Sequence, residues 1–160
     1  MSDLHFVPPG STPPKVDPAE LPGWLLEEDD DYLVFDKPGW LVCHPSKDGP
    51  WSSLVGAVKE WRGLDVLHLV SRLDRETSGC LIVAKRRSAL RDLHAQLRDG
   101  TTEKLYLALV CGTWNLGHKR IELALATGER RSGERHVAVR SHGQIAVSTF
   151  RPVQFFGNVA

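Results

Sequence analysis

The stretch "HLVSRLDRETSG", His68–Gly79, sets Arg72, Asp74, Arg75 and Glu76 behind an apolar lead-in and closes on Thr77-Ser78-Gly79. The runs on either side, "VLHLV" and "CLIVAK", read as strands, so the charged segment is the turn between them. Asp74 then has three possible uses. It can cap backbone amides in an Asx-type turn, pair with Arg72 or Arg75, or carry chemistry. A loop held between two strands can aim one carboxylate into a cleft, and spacing alone leaves the three open.

Outward from this turn the pattern alternates short strands with two helices. "WLLEEDDDYLVFDKPG" reads as two strands around an acidic turn, Glu27 to Asp31, the second ending at Pro38-Gly39. "SSLVGAVKEWRG" has a serine start, apolar spacing at Leu54, Val55, Val58 and Trp61, and a glycine stop, which predicts a helix. "RSALRDLHAQLRDG" repeats the pattern, with Leu90, Leu93, Ala95 and Leu97 inward and Gly100 as terminator. Strands are expected at "EKLYLALVCG", "IELALAT", "RHVAVR" and "IAVSTFRPVQFF". The fold class is α+β: a mostly antiparallel mixed sheet flanked by two helices. Residues 1–23 hold six of the ten prolines, at 8, 9, 13, 14, 18 and 22. They are expected to form an extended arm, weakly tied to a domain over 24–160.

At 160 residues the chain is sized for one domain, and 41% hydrophobic content suffices for a core. Twenty basic and twenty acidic residues cancel, so any nucleic-acid partner must be met by local clusters. Lys85, Arg86, Arg87 and Arg91 form one such cluster. Lys119, Arg120, Arg130, Arg131, Arg135 and Arg140 form another on an expected hairpin. Cys43, Cys80 and Cys111 have neither disulfide nor zinc spacing, which predicts buried, reduced thiols in a cytoplasmic protein. Neither a signal segment nor a membrane span is legible, so no membrane role is expected.

Four ordered segments carry a resemblance. "SRLDRETSGCLIVAK" resembles the signature H-R-L-D-x-x-T-S-G of the RluA family of RNA pseudouridine synthases, with its apolar strand and Ala-Lys. "DKPGWLVCHPS" is similar to the family's K-P-x-G-x-x-V-H-P motif, "EKLYLALVCG" to its K-x-Y-x-A-x-V-x-G strand, and "IAVSTFRPVQFF" to its A-x-T-x-F/Y strand. The likeness runs from about Trp24 onward and implies the N-terminal part of a pseudouridine synthase catalytic domain. There are departures. Ser71 stands where the family has His, and Trp40 interrupts the K-P-x-G segment. Family members continue into a basic T-G-R-x-H-Q-I-R-x-H segment after the A-x-T strand. "ATGERRSGERHV", 126–137, imitates that segment but precedes the strand, so it is expected to be a hairpin.

The resemblance implies an isomerase that detaches uracil from ribose in rRNA or tRNA, turns it and rejoins it through carbon. It implies no metal and no cofactor. Asp74 would be the essential catalytic acid, and Tyr106 would stack on the flipped base or relay its proton. Arg72 would enter the space left in the RNA stack. Lys37 and His44 would shape the pocket wall or touch RNA, and Leu73, Thr77 and Lys104 would complete the substrate site. A carboxylate in such a pocket needs a nearby cation, which the family's later basic segment supplies. RNA is the expected partner, with no obligatory protein partner and with self-association possible through an exposed sheet edge. The competing expectation is an RNA-binding module or truncated synthase that does not turn over. A third, weaker reading is a hydrolase using Asp74 and Glu76.

Overall fold

The computed structural model describes residues 14–44, 48–129 and 135–156. Two six-residue strands, β2 (Tyr32–Lys37) and β4 (Gly79–Ala84), form the middle of the first sheet, after β1 (Leu25–Glu28) and around β3 (His68–Leu69). The order is β1-β2-β4-β3, every pair antiparallel. Phe35 faces Leu81, Leu33 faces Val83, and Lys37 faces Gly79, where the signature turn ends. Period-two alternation puts Leu33, Phe35, Leu81 and Val83 into the main core.

Helix α2 (Leu54–Arg62) covers that face with Leu54, Val55, Ala57 and Val58. Its start is fixed by Ser53, whose Oγ accepts from the Gly56 amide at 3.1 Å, and Gly63 ends it in the left-handed region. Gly56 is needed for a different reason. A Cβ there would lie 2.2 Å from the carbonyl oxygen of Pro50, so the preceding 3-10 turn, Pro50–Ser52, can approach only a glycine. Helix α3 (Arg87–Arg98) lies over the other side, with Ala89, Leu90, Leu93 and Leu97 grouped with Val70, Ile82 and Ala84. Both expected helices are present.

The expected extended arm is corrected where the structure describes it. Pro18–Glu20 form a 3-10 turn that leads into α1 (Leu21–Trp24), a third, one-turn helix. Proline is tolerated in a first turn because that turn's amides have no intrahelical acceptor, and the Asp17 side chain accepts from the Ala19 amide at 2.9 Å. Val16 and Leu21 are buried in the main core, and the Val16 amide donates to the Trp51 carbonyl at 2.8 Å. Residues 1–13 lie outside the described residues.

The chain forms two compact units, Met1–Glu103 and Lys104–Ala160. In the second, β5 (Lys119–Glu129) pairs antiparallel with β6 (Arg135–Val139) on one side and β7 (Gln144–Phe150) on the other. Of the 126–137 segment, the described residues 126–129 of β5 pair antiparallel with 135–138 of β6, and residues 130–134 lie outside the described residues. The expected strand over "EKLYLALVCG" is absent: Lys104–Val110 has no strand neighbour among the described residues. Leu105, Leu107 and Leu109 are 83%, 91% and 75% exposed. Their alternation suits a pleated surface, but a strand cannot satisfy its own amides and needs a neighbour. The last expected strand is likewise shorter and ends at Phe150, before Pro152.

The cysteine expectation holds only in part. All three thiols are free, but Cys80 and Cys111 are exposed and only Cys43 is buried. Cys80 sits on the alternate face of β4, beyond the cover of α3. Among the described residues no helix is long and apolar enough to cross a membrane.

Candidate active site

The turn between β3 and β4 is built almost wholly from its own carbonyls. At its entry the Val70 amide donates to Ile82 at 3.3 Å. The Val70 carbonyl accepts from His94 Nε2 on α3 at 3.0 Å, the ring nitrogen donating because a carbonyl can only accept. The Leu73 carbonyl accepts from the Cys43 thiol at 3.2 Å, and the Arg75 carbonyl from Lys37 Nζ at 3.1 Å. The turn itself closes through the Thr77 amide, which donates to the Asp74 carbonyl at 3.2 Å. Gly79 follows at φ +110°, a conformation that favours glycine and lets the chain swing directly into β4.

Lys37 is the buried anchor. It is fully inaccessible, and its ammonium donates to three carbonyls: Leu41 at 2.6 Å, Pro38 at 2.9 Å and Arg75. All three of its protons are therefore used within the protein. Burial pushes its pKa below the ordinary lysine value, while its neighbours Cys43, Glu76 and Asp74 act to raise it. Of the two uses expected for Lys37, the geometry favours wall over RNA contact. Gly39 fits the same assembly, since a Cβ there would stand 3.3 Å from the Glu76 carbonyl.

Against this fixed backbone the Asp74 side chain is exposed. Among the described residues it makes no hydrogen bond and no ion pair, and Arg72, Arg75 and Glu76 form no salt bridge either. Capping and pairing, two of the three uses open in the sequence, are not what holds this turn. Asp74 acts electrostatically on Lys37, a residue of the neighbouring motif.

The first unit thus brings together Lys37, Leu73, Asp74 and Thr77, with Arg72 exposed on the same loop. Leu73 is half-buried and packs on the main core, so it anchors the turn. His44 is exposed at the end of the 37–44 segment. Tyr106 and Lys104 belong to the second unit, where Tyr106 is 61% exposed and outside any strand.

Two further expectations change. Lys85 and Arg86 do not form a free basic cluster. Lys85 donates to Glu28 at 2.6 Å and to the Asp29 carbonyl at 2.7 Å, Arg86 pairs with Asp31 at 2.8 Å, and Arg62 also reaches Glu28. The acidic turn between β1 and β2 neutralises them, leaving Arg87 and Arg91 exposed. In the second cluster Arg120 pairs with Glu122 at 2.6 Å. Arg130 and Arg131, and the side chain of Arg135, lie outside the described residues. Cys43 and His94, which no local pattern connects with the turn, are the residues missed.

Residues 31–160 match the family model for RNA pseudouridylate synthase, and the chain belongs to that family, in its RluA branch. It is 42% identical over 136 residues to "Ribosomal large subunit pseudouridine synthase C" of Haemophilus influenzae, an alignment covering 82% of this chain and 41% of that protein. The protein of the same name from Yersinia pestis is 43% identical over 137 residues, covering 83% and 42%. The chain thus spans about two fifths of the length of these curated relatives. Among solved structures it is similar to "Human RNA Pseudouridylate Synthase Domain Containing 4", with TM-score 0.65, 19% identity, and coverage of 89% of this chain and 58% of that one. The human Domain Containing 1 structure gives 0.58, 22%, 89% and 53%. At these identities the likeness to solved structures is one of fold.

Proposed function

We propose that this chain supplies the catalytic carboxylate of an RNA pseudouridine synthase and acts on uridine in large-subunit ribosomal RNA. One observation carries the reading most: the Asp74 side chain, unbonded among the described residues, is presented on a loop whose neighbouring carbonyls are pinned by Lys37 and Cys43. A turn that needed Asp74 for its own stability would engage its carboxylate. Family membership and the names of the relatives point to the same chemistry and the same RNA class.

In the reaction the bond from uracil N1 to ribose C1′ breaks, the base turns, and C5 bonds to C1′; C5 gives up its proton and N1 takes one, so the product is an isomer of the substrate. Asp74 would act as an ionised carboxylate, attacking sugar or base or assisting proton removal at the ribose. Lys37 does not occupy the carboxylate, since its three protons are already donated to backbone carbonyls. Arg72, exposed and outside any ion pair among the described residues, is available to stack in the RNA. The roles of Tyr106 as proton relay and of His44 and Lys104 as substrate contacts rest on the motifs alone.

The loss of the C5 proton supplies the assay. Ribosomal and transfer RNA transcripts carrying 5-tritiated uridine are incubated with the protein, and release of label to water is followed. Release from the ribosomal transcript, with carbodiimide-resistant adducts at the reacted uridine, is expected. A second reading, RNA binding without turnover, is favoured by the unpaired run that contains Tyr106. Retention of RNA with no release of label would select it.

A further inference from the structure

We infer that Cys43 is a positioning residue for Asp74, acting through its thiol; this rests on the function proposed above. The thiol is buried and donates to the carbonyl of Leu73, the residue immediately before Asp74. Lys37 holds the carbonyl of Arg75, the residue immediately after. The peptide unit before Asp74 and the one after Arg75 are therefore each tied to one short segment, residues 37–43, by one donor.

The position gives the thiol a specific task. "DKPGWLVCHPS" places Cys43 directly before His44, within the apolar part of the motif. An apolar side chain there would fill the core equally well, since Cys43 lies in the main cluster with Leu41, Leu54 and Phe35. It could not donate to Leu73, and the Arg75 bond alone would leave the N-terminal side of Asp74 free to rotate. An S–H···O bond is individually weak, but a small displacement of a reacting group costs rate more than it costs stability.

The test compares Cys43→Val, which keeps apolar volume and removes the donor, with Cys43→Ser, which keeps a donor. Both are made in the full chain. Turnover is read as kcat and KM for tritium release from the ribosomal transcript, and amide hydrogen exchange is read across residues 72–78. Cys43→Val is expected to lower kcat by roughly three- to tenfold with KM little changed, and to speed exchange in the turn. Cys43→Ser is expected to restore both. Wild-type kcat and exchange in Cys43→Val would overturn the proposal. So would equal impairment of both variants, which would make the residue a packing element. Absence of turnover in the wild type would remove the function proposed above. The exchange comparison stands apart from turnover, and unaltered exchange in Cys43→Val would show that no thiol bond fixes the loop.

Discussion

Lys37 Nζ donates to the carbonyl of Arg75 at 3.1 Å, joining two motifs 38 positions apart at the residue that follows Asp74. The contact does two things at once. It fixes the backbone of the signature turn, and it brings a buried positive charge within electrostatic reach of Asp74, whose carboxylate makes no hydrogen bond or ion pair among the described residues.

Replacing Lys37 by Met keeps most of the side-chain length and removes the charge. Three carbonyls then lose a donor in a buried setting, so Lys37→Met should destabilise the chain by roughly 2–4 kcal/mol. Urea unfolding followed by tryptophan fluorescence measures it. A loss below about 0.5 kcal/mol would mean that water or a shift of the loop replaces the bonds.

The same lysine sets a pH dependence. Its folded pKa is lowered, so between that value and the ordinary lysine value the unfolded chain binds more protons than the folded one. Stability contributed by this group therefore rises with pH across that window. The urea midpoint of the wild type, taken relative to Lys37→Met, should move upward as pH rises towards the ordinary lysine value of 10.5. A downward movement would mean that the three carbonyls outweigh burial.

Gly56→Ala tests the approach of the Pro50 turn to α2. The added Cβ would meet the Pro50 carbonyl oxygen at 2.2 Å, and backbone must shift to admit it. Alanine ordinarily favours a helix interior, yet here a loss of roughly 2–4 kcal/mol is expected. A gain in melting temperature would show that the turn yields freely.

Val16→Ala tests whether the segment before Trp24 belongs to the core. Val16 is buried and bonded to Trp51 through its amide, so truncation should cost roughly 1–3 kcal/mol. An unchanged urea midpoint would restore the picture of a loosely attached arm.

The strands around the turn and both long helices were legible because alternation, a serine start and a glycine stop are local signals. Proline count misled for residues 16–23, since a proline at the head of a helical turn forfeits no bond. The run around Tyr106 carries a clear strand pattern, yet a strand exists only with a neighbour, and no local signal names one. At the site, Asp74 stood out through its motif, but its partners did not. Lys37 could be read as an RNA contact because burial is set by folding. Cys43 and His94 reach the turn across gaps that no spacing rule encodes.

The most direct measurement is tritium release from a 5-tritiated uridine ribosomal transcript by the wild type and by Asp74→Asn at matched stability. Asparagine keeps the size of the side chain and removes its charge, and because the carboxylate makes no bond in the turn the urea midpoint should hardly move. The wild type should release label, and Asp74→Asn should fall by at least about 1,000-fold. Comparable release by Asp74→Asn, in a chain that folds normally, would contradict the assignment of Asp74 as the catalytic carboxylate.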